Sequence, residues 1–141
     1  MLPRAAALAC LALPAFILCA CAGTESLRPG PDGLPPKSGL TMLYPQKPEV
    51  VFPAATRSLI SLGLFVVEQN PARGYILAER GMNSSSNGEN VGVYIRAHGQ
   101  GSEVTVVTTR KLATNLLTRD HNGPVHMQLG AELGRAGAAA P

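Results

Sequence analysis

Leu64-Phe65-Val66-Val67-Glu68-Gln69-Asn70-Pro71-Ala72-Arg73-Gly74-Tyr75-Ile76-Leu77-Ala78-Glu79-Arg80 is the stretch on which the fold turns. Two runs rich in β-branched and aromatic residues, 64–68 and 75–80, flank a segment in which Pro71 suits the second place of a type I turn and Gly74 a positive-φ position. That is a β-hairpin. Beyond it, residues 91–97 alternate Val91, Val93, Ile95 and Ala97 on one face with Gly92, Tyr94 and Arg96 on the other. They join residues 103–109 through His98-Gly99-Gln100-Gly101-Ser102, which predicts a second hairpin. Residues 81–90, rich in glycine, asparagine and serine, are expected to be an exposed loop between the two.

Helical periodicity brackets the hairpins. Val51, Ala55, Leu59 and Leu62 recur as one apolar stripe, with Arg57, Ser58 and Ser61 expected to face water. Pro53 is tolerated in a first turn, which predicts a start near Val51 or Phe52, and Gly63 supplies a left-handed stop. Towards the C-terminus, Asn122-Gly123-Pro124 reads as a helix start, after which Val125, Leu129 and Leu133 share a face. Gly130 weakens this helix by about 1 kcal/mol relative to alanine, so docking must stabilise it. Residues 135–141 have nothing to bury and are expected to be disordered. The fold expected over residues 49–134 is therefore α+β: a helix, a four-stranded antiparallel meander, and a C-terminal helix packed on the sheet.

The pleat divides the strands into two faces. Leu64, Val66, Ile76, Ala78, Val93, Ile95, Val104 and Val106 point one way, towards the first helix. Phe65, Val67, Tyr75, Leu77, Tyr94 and Val107 point the other way. A sheet with one helix-covered side should carry polar residues on its open side, yet this second face holds three of the four aromatics of residues 49–134. Either the C-terminal helix or the segment 40–44 covers it, or Phe65, Tyr75, Leu77, Tyr94 and Val107 form a partner-binding face.

The N-terminal part has a different character. Arg4 precedes an apolar run of 16 residues, 5–20, interrupted by Pro14 and ending Leu18-Cys19-Ala20-Cys21. A membrane-spanning helix needs roughly 20 apolar residues, whereas a positive start, a short apolar run and a small-residue cleavage pattern mark an export signal. The stretch 18–21 resembles the lipobox of bacterial lipoproteins. That resemblance implies cleavage after Ala20 and a diacylglyceryl group on the Cys21 thiol. Ala22 in place of an aspartate implies sorting to the outer membrane, with the domain facing the periplasm. Cys10, Cys19 and Cys21 are the only cysteines, so the exported part would have no disulfide framework and no free thiol nucleophile.

Residues 22–48 interleave six prolines with four glycines and read as a tether. Its 27 residues would span about 80 Å in polyproline-like extension and about 30 Å as a random coil. Its apolar island, 40–44, is expected either to form a short strand or to pack down on the domain.

The order of helix, four antiparallel strands and helix, with Leu62-Gly63-Leu64 before a valine strand and Gly74-Tyr75-Ile76-Leu77-Ala78 after the turn, resembles small Gram-negative lipoproteins. It is similar to the helix-grip domains of the lipoprotein C subunit of the outer-membrane β-barrel assembly machinery. The resemblance implies a fold and no activity.

Charge and chemistry narrow the function further. The chain carries +3 formally, but residues 49–133 hold seven cations (Arg57, Arg73, Arg80, Arg96, Arg110, Lys111, Arg119) and seven acids (Glu49, Glu68, Glu79, Glu89, Glu103, Asp120, Glu132). A neutral domain lacks the basic footprint that nucleic-acid binding requires. His98, His121 and His126 have no carboxylate or thiolate set to complete a metal shell and are expected to be exposed. Ser84, Ser85 and Ser86 lack the strand-to-helix elbow that activates a serine, and Asp120 suits a helix entry better than an acid/base pair with His121. No catalytic residue, metal or cofactor is expected. What remains is a lipid-anchored envelope module that binds another protein or serves a structural role, with a small apolar-ligand carrier as the alternative.

Overall fold

A computed structural model describes residues 23–81, 88–111 and 118–138. The class is α+β, with five antiparallel strands where four were expected. In chain order the elements are β1 (Leu40–Tyr44), α1 (Pro48–Ser61), β2 (Phe65–Asn70), β3 (Tyr75–Arg80), β4 (Glu89–His98), β5 (Gly101–Arg110) and α2 (Asn122–Ala138), preceded by one 3-10 turn at Thr24–Leu27. The sheet order is β1-β5-β4-β3-β2, so β2 to β5 form the expected meander. The island 40–44 becomes the fifth strand, pairing Leu40 with Val106 and Tyr44 with Ser102. It lies at one edge and β2 at the other, and α1 carries the chain between them.

Helix α1 begins at Pro48, three residues before Val51, with Pro48 in the first turn where no N–H is needed. Pro53 therefore lies inside the helix, not at its start. The end is a Schellman closure. Gly63 (φ 74°) donates to the Ile60 carbonyl at 2.9 Å and Leu64 to the Leu59 carbonyl at 3.0 Å. Ser58 is buried rather than facing water, its hydroxyl satisfied by the Ala54 carbonyl at 2.8 Å. The reason is α2, which packs beside α1 and widens its buried stripe to take in Ala54 and Ser58. Arg57, at the rim of this contact, reaches Glu132 Oε2 at 3.2 Å.

Helix α2 runs on to Ala138, so residues 135–138, expected to be disordered, are helical; residues 139–141 lie outside the described part. Arg135 pairs with Glu132 one turn earlier. At the start of the helix, Asp120 accepts from the Asn122 amide at 3.0 Å, the entry role its position suggests. Val125, Leu129 and Leu133 are buried as one face. They join Val51, Ala55 and Leu59 of α1 and the predicted inward residues Leu64, Ile76, Ala78, Val93, Ile95, Val104 and Val106 in a single core, with Val66 packed against it.

Two histidines depart from expectation. His98 is exposed, but His121 and His126 are buried on α2 and just before it. His126 stitches the helix to the edge strand: its Nε2 donates to the Leu40 carbonyl at 3.0 Å, and its Nδ1 accepts from the Tyr44 hydroxyl at 2.8 Å. A carbonyl can only accept, so the neutral ring carries its proton on Nε2. His121 lies against Glu89, with Nε2 3.7 Å from Oε2. Glu89 and Asn90, expected in the loop, are instead the buried first residues of β4; residues 82–87 lie outside the described part.

Burial depresses the pKa of both histidines below the usual imidazole range. For His121 the Arg80 charge acts in the same direction and Glu89 opposes it. Because the folded values lie below the unfolded one, their contribution is fully present above about pH 6.5 and is lost as pH falls through the folded values. Melting temperature should therefore fall between pH 7 and pH 5, and His121→Gln with His126→Gln should flatten that slope. In the core, Ile95→Ala should cost about 2–5 kcal/mol of the roughly 5–15 kcal/mol available to a small domain. A denaturant midpoint that hardly moves would contradict the placement of β4.

Candidate functional site

The second face of the sheet is covered by the segment expected to be a tether. Residues 23–30 lie along it as a strap, following the direction of β4. The strap begins where the Gly23 carbonyl accepts from Asn90 Nδ2 at 3.1 Å and ends where Arg73 Nη2 donates to the carbonyls of Pro29 (3.1 Å) and Gly30 (2.8 Å). Between these points the 3-10 turn aims Leu27 inward. Its side chain is 0 % exposed and forms a second cluster with Tyr75, Leu77, Tyr94 and Val107. The Tyr94 hydroxyl donates to the Leu27 carbonyl at 2.5 Å.

This corrects the predicted partner-binding face. Tyr75 and Tyr94 are 3 % and 2 % exposed, and Leu77 and Val107 are equally buried, so four of its five residues already have an occupant from the same chain. Neither α2 nor β1 is the cover: both helices lie on the first face. Phe65 alone stays open, at 69 % exposure. Val67 is exposed for another reason. A bulge between Val66 and Glu68 leaves it without a partner, so the strand shifts register and Glu68 faces Leu77 on the second face.

That register shift creates the polar half of the site. Glu68 Oε1 accepts from the Tyr75 hydroxyl at 2.5 Å, and Glu68 Oε2 accepts from Arg28 Nη2 at 2.8 Å and Nε at 3.0 Å. Arg28 also reaches Glu25 at 2.9 Å within the strap. The Tyr75 hydrogen bond, followed by that from Arg28, holds the Glu68 carboxyl below the usual carboxylate range. The same bond pushes the Tyr75 hydroxyl up, and desolvation raises that of Tyr94. Arg73 stacks over the Tyr75 ring with its guanidinium carbon 5.6 Å from the ring centre. Gly92 makes room for the arrangement, because a Cβ there would meet the Tyr94 ring at under van der Waals distance.

The residues that hold the strap, Leu27, Arg28, Asn90 and Arg73, were not predicted as site residues. The available signal was one apolar residue beside a cation, Leu27-Arg28, in an otherwise polar, proline-rich stretch. Cys21 lies outside the described residues. His98, His121 and His126 are not brought together, and among the described residues no group of three His, Cys, Asp or Glu side chains could hold a metal. No helix among them is long and apolar enough to cross a membrane. The arrangement serves recognition by shape, hydrogen bonds and one ion pair, here turned on the protein's own strap. The chain matches no protein-family model and no curated protein.

Leu27→Ala should cost about 2–5 kcal/mol by leaving a cavity against Tyr94. It should also make residues 23–39 a site of limited proteolysis while the rest of the domain stays folded. Tyr94→Phe, which removes only the donor to the Leu27 carbonyl, should cost about 1 kcal/mol. Protease resistance equal to wild type in Leu27→Ala would show that the strap is held by something else.

Proposed function

We propose that the protein is a lipid-anchored envelope lipoprotein, attached through Cys21 to the outer membrane with its domain in the periplasm, where it acts as a protein-binding or structural module. The observation that carries this reading is the lipobox-like Leu18-Cys19-Ala20-Cys21 at the end of a short apolar run. A protein partner is favoured by the apolar residues left open along the β2 edge, Phe65 and Val67. A carrier of small apolar ligands is less well supported, because Leu27 fills the groove that such a ligand would use on the second face.

Cys21→Ser should abolish outer-membrane retention, read by membrane fractionation; wild-type retention of the variant would remove the anchor. A photo-crosslinking residue at Phe65 should give a discrete adduct in cells, and the same residue at Arg96, also exposed, should not. Equal labelling at both positions, or none, would contradict a binding role for the β2 edge.

A further inference from the structure

The strap fixes where the chain leaves the domain on its way to Cys21. Gly23 is held at Asn90, and only Ala22 lies between it and Cys21. Consecutive Cα atoms are 3.8 Å apart, so the Cys21 Cα is within about 8 Å of that of Gly23 whatever the conformation between them. The headgroup layer on each side of a bilayer is itself about 5–8 Å deep, the difference between roughly 40–45 Å overall and 30 Å of hydrocarbon, halved. A cysteine whose thioether carries chains buried in that hydrocarbon leaves no slack for the domain to stand away.

The end of the domain that this geometry presents is the one where Arg80, Glu89 and Arg110 pair across β3, β4 and β5. A cleft there is lined by Gly23, Glu25, Ser26, Asn90, Arg110 and Lys111. Lys111 is tied to Glu79 at 2.8 Å and Glu25 to Arg28, whereas Arg110 is exposed and forms no ion pair among the described residues. The opposite end, at Gly99 and Gln100, lies a full ten-residue strand away, about 30 Å. We propose that the Gly23/Arg110 end is a membrane-contact surface: the docked strap holds the lipidated domain flush against phospholipid headgroups, with Arg110 beside their phosphates, rather than on a flexible leash. This rests on the lipid-anchored reading above.

The test uses the full processed chain in vesicles of phosphatidylethanolamine and phosphatidylglycerol. With the Cys21 sulfur in a thioether, one introduced cysteine is the only thiol to label. Fluorophores at Ser26→Cys on the strap, Arg119→Cys on the body and Gln100→Cys at the far end report their distance from spin-labelled lipid; all three positions are exposed, and the Arg119 amide is fixed at this end by Glu89 Oε1 at 3.3 Å. The expected result is quenching several-fold stronger at 26 and 119 than at 100, reduced at 119 by adding Arg110→Glu. Strong quenching at 26 with 119 no different from 100 would mean that the strap has come away, and equal weak quenching at all three would mean a leash; either overturns the inference. Mass spectrometry of the N-terminal peptide separates the two levels. Without a diacylglyceryl group on Cys21 the anchored reading fails and this inference with it, whereas a lipidated chain with uniform quenching overturns the inference alone.

Discussion

Leu27 seated among Tyr75, Leu77, Tyr94 and Val107 is the contact on which the second half of this structure depends. A sheet whose two faces are both apolar cannot be stabilised by helices on one side alone, because the other side would leave aromatic surface in water. The two helices cover the first face, and the strap covers the second with very little material. Burying one leucine contributes about 1.5–3 kcal/mol. The remaining hold comes from polar groups that meet strap carbonyls: Asn90, Tyr94 and Arg73 each donate to the backbone between Gly23 and Gly30. Such donors satisfy an irregular segment that has no ladder of its own to use.

Glu68 links the strap to the strand. It accepts from Tyr75 beside it and from Arg28 above it, and both hydrogen bonds favour its ionised form. The pair with Arg28 is partly exposed, with the Arg28 side chain half open to solvent, and contributes little alone. Its value is positional: it sets which way the chain runs after Leu27. The bulge at Val67 is what turns Glu68 to this side, so a local irregularity in β2 determines whether the strap finds a charge partner. The edge strand β1 is held by a similar device on the first face, where one neutral histidine reads both the Leu40 carbonyl and the Tyr44 hydroxyl.

Much of this was legible in the chain. Strict alternation in residues 91–97 and the two turn signals place both hairpins and assign their inward residues, since a one-residue slip would have exposed every valine. The apolar second face was also legible, from Tyr75, Leu77, Tyr94 and Val107. What covers it was not. The strap has no periodicity to detect, because a segment held by Leu27 and side chains from distant strands needs neither a helical nor an alternating pattern. Proline and glycine, which rule out a ladder, do not rule out docking. The buried histidines were illegible for the same reason: their partners, Leu40, Tyr44 and Glu89, are between 32 and 86 residues away in the chain. The fifth strand was one of two outcomes expected for the apolar island 40–44; its pairing with β5, about 60 residues on, has no local signal.

The claim that most needs testing is that residues 23–30 are part of the domain. The direct measurement is a set of through-space NMR contacts from the Leu27 methyl groups in solution. The account predicts cross-peaks to the rings of Tyr75 and Tyr94 and to the Val107 methyls, with the Leu27 methyl resonances shifted by ring currents. Random-coil shifts for residues 23–30 and no cross-peaks from Leu27 to either tyrosine would contradict it.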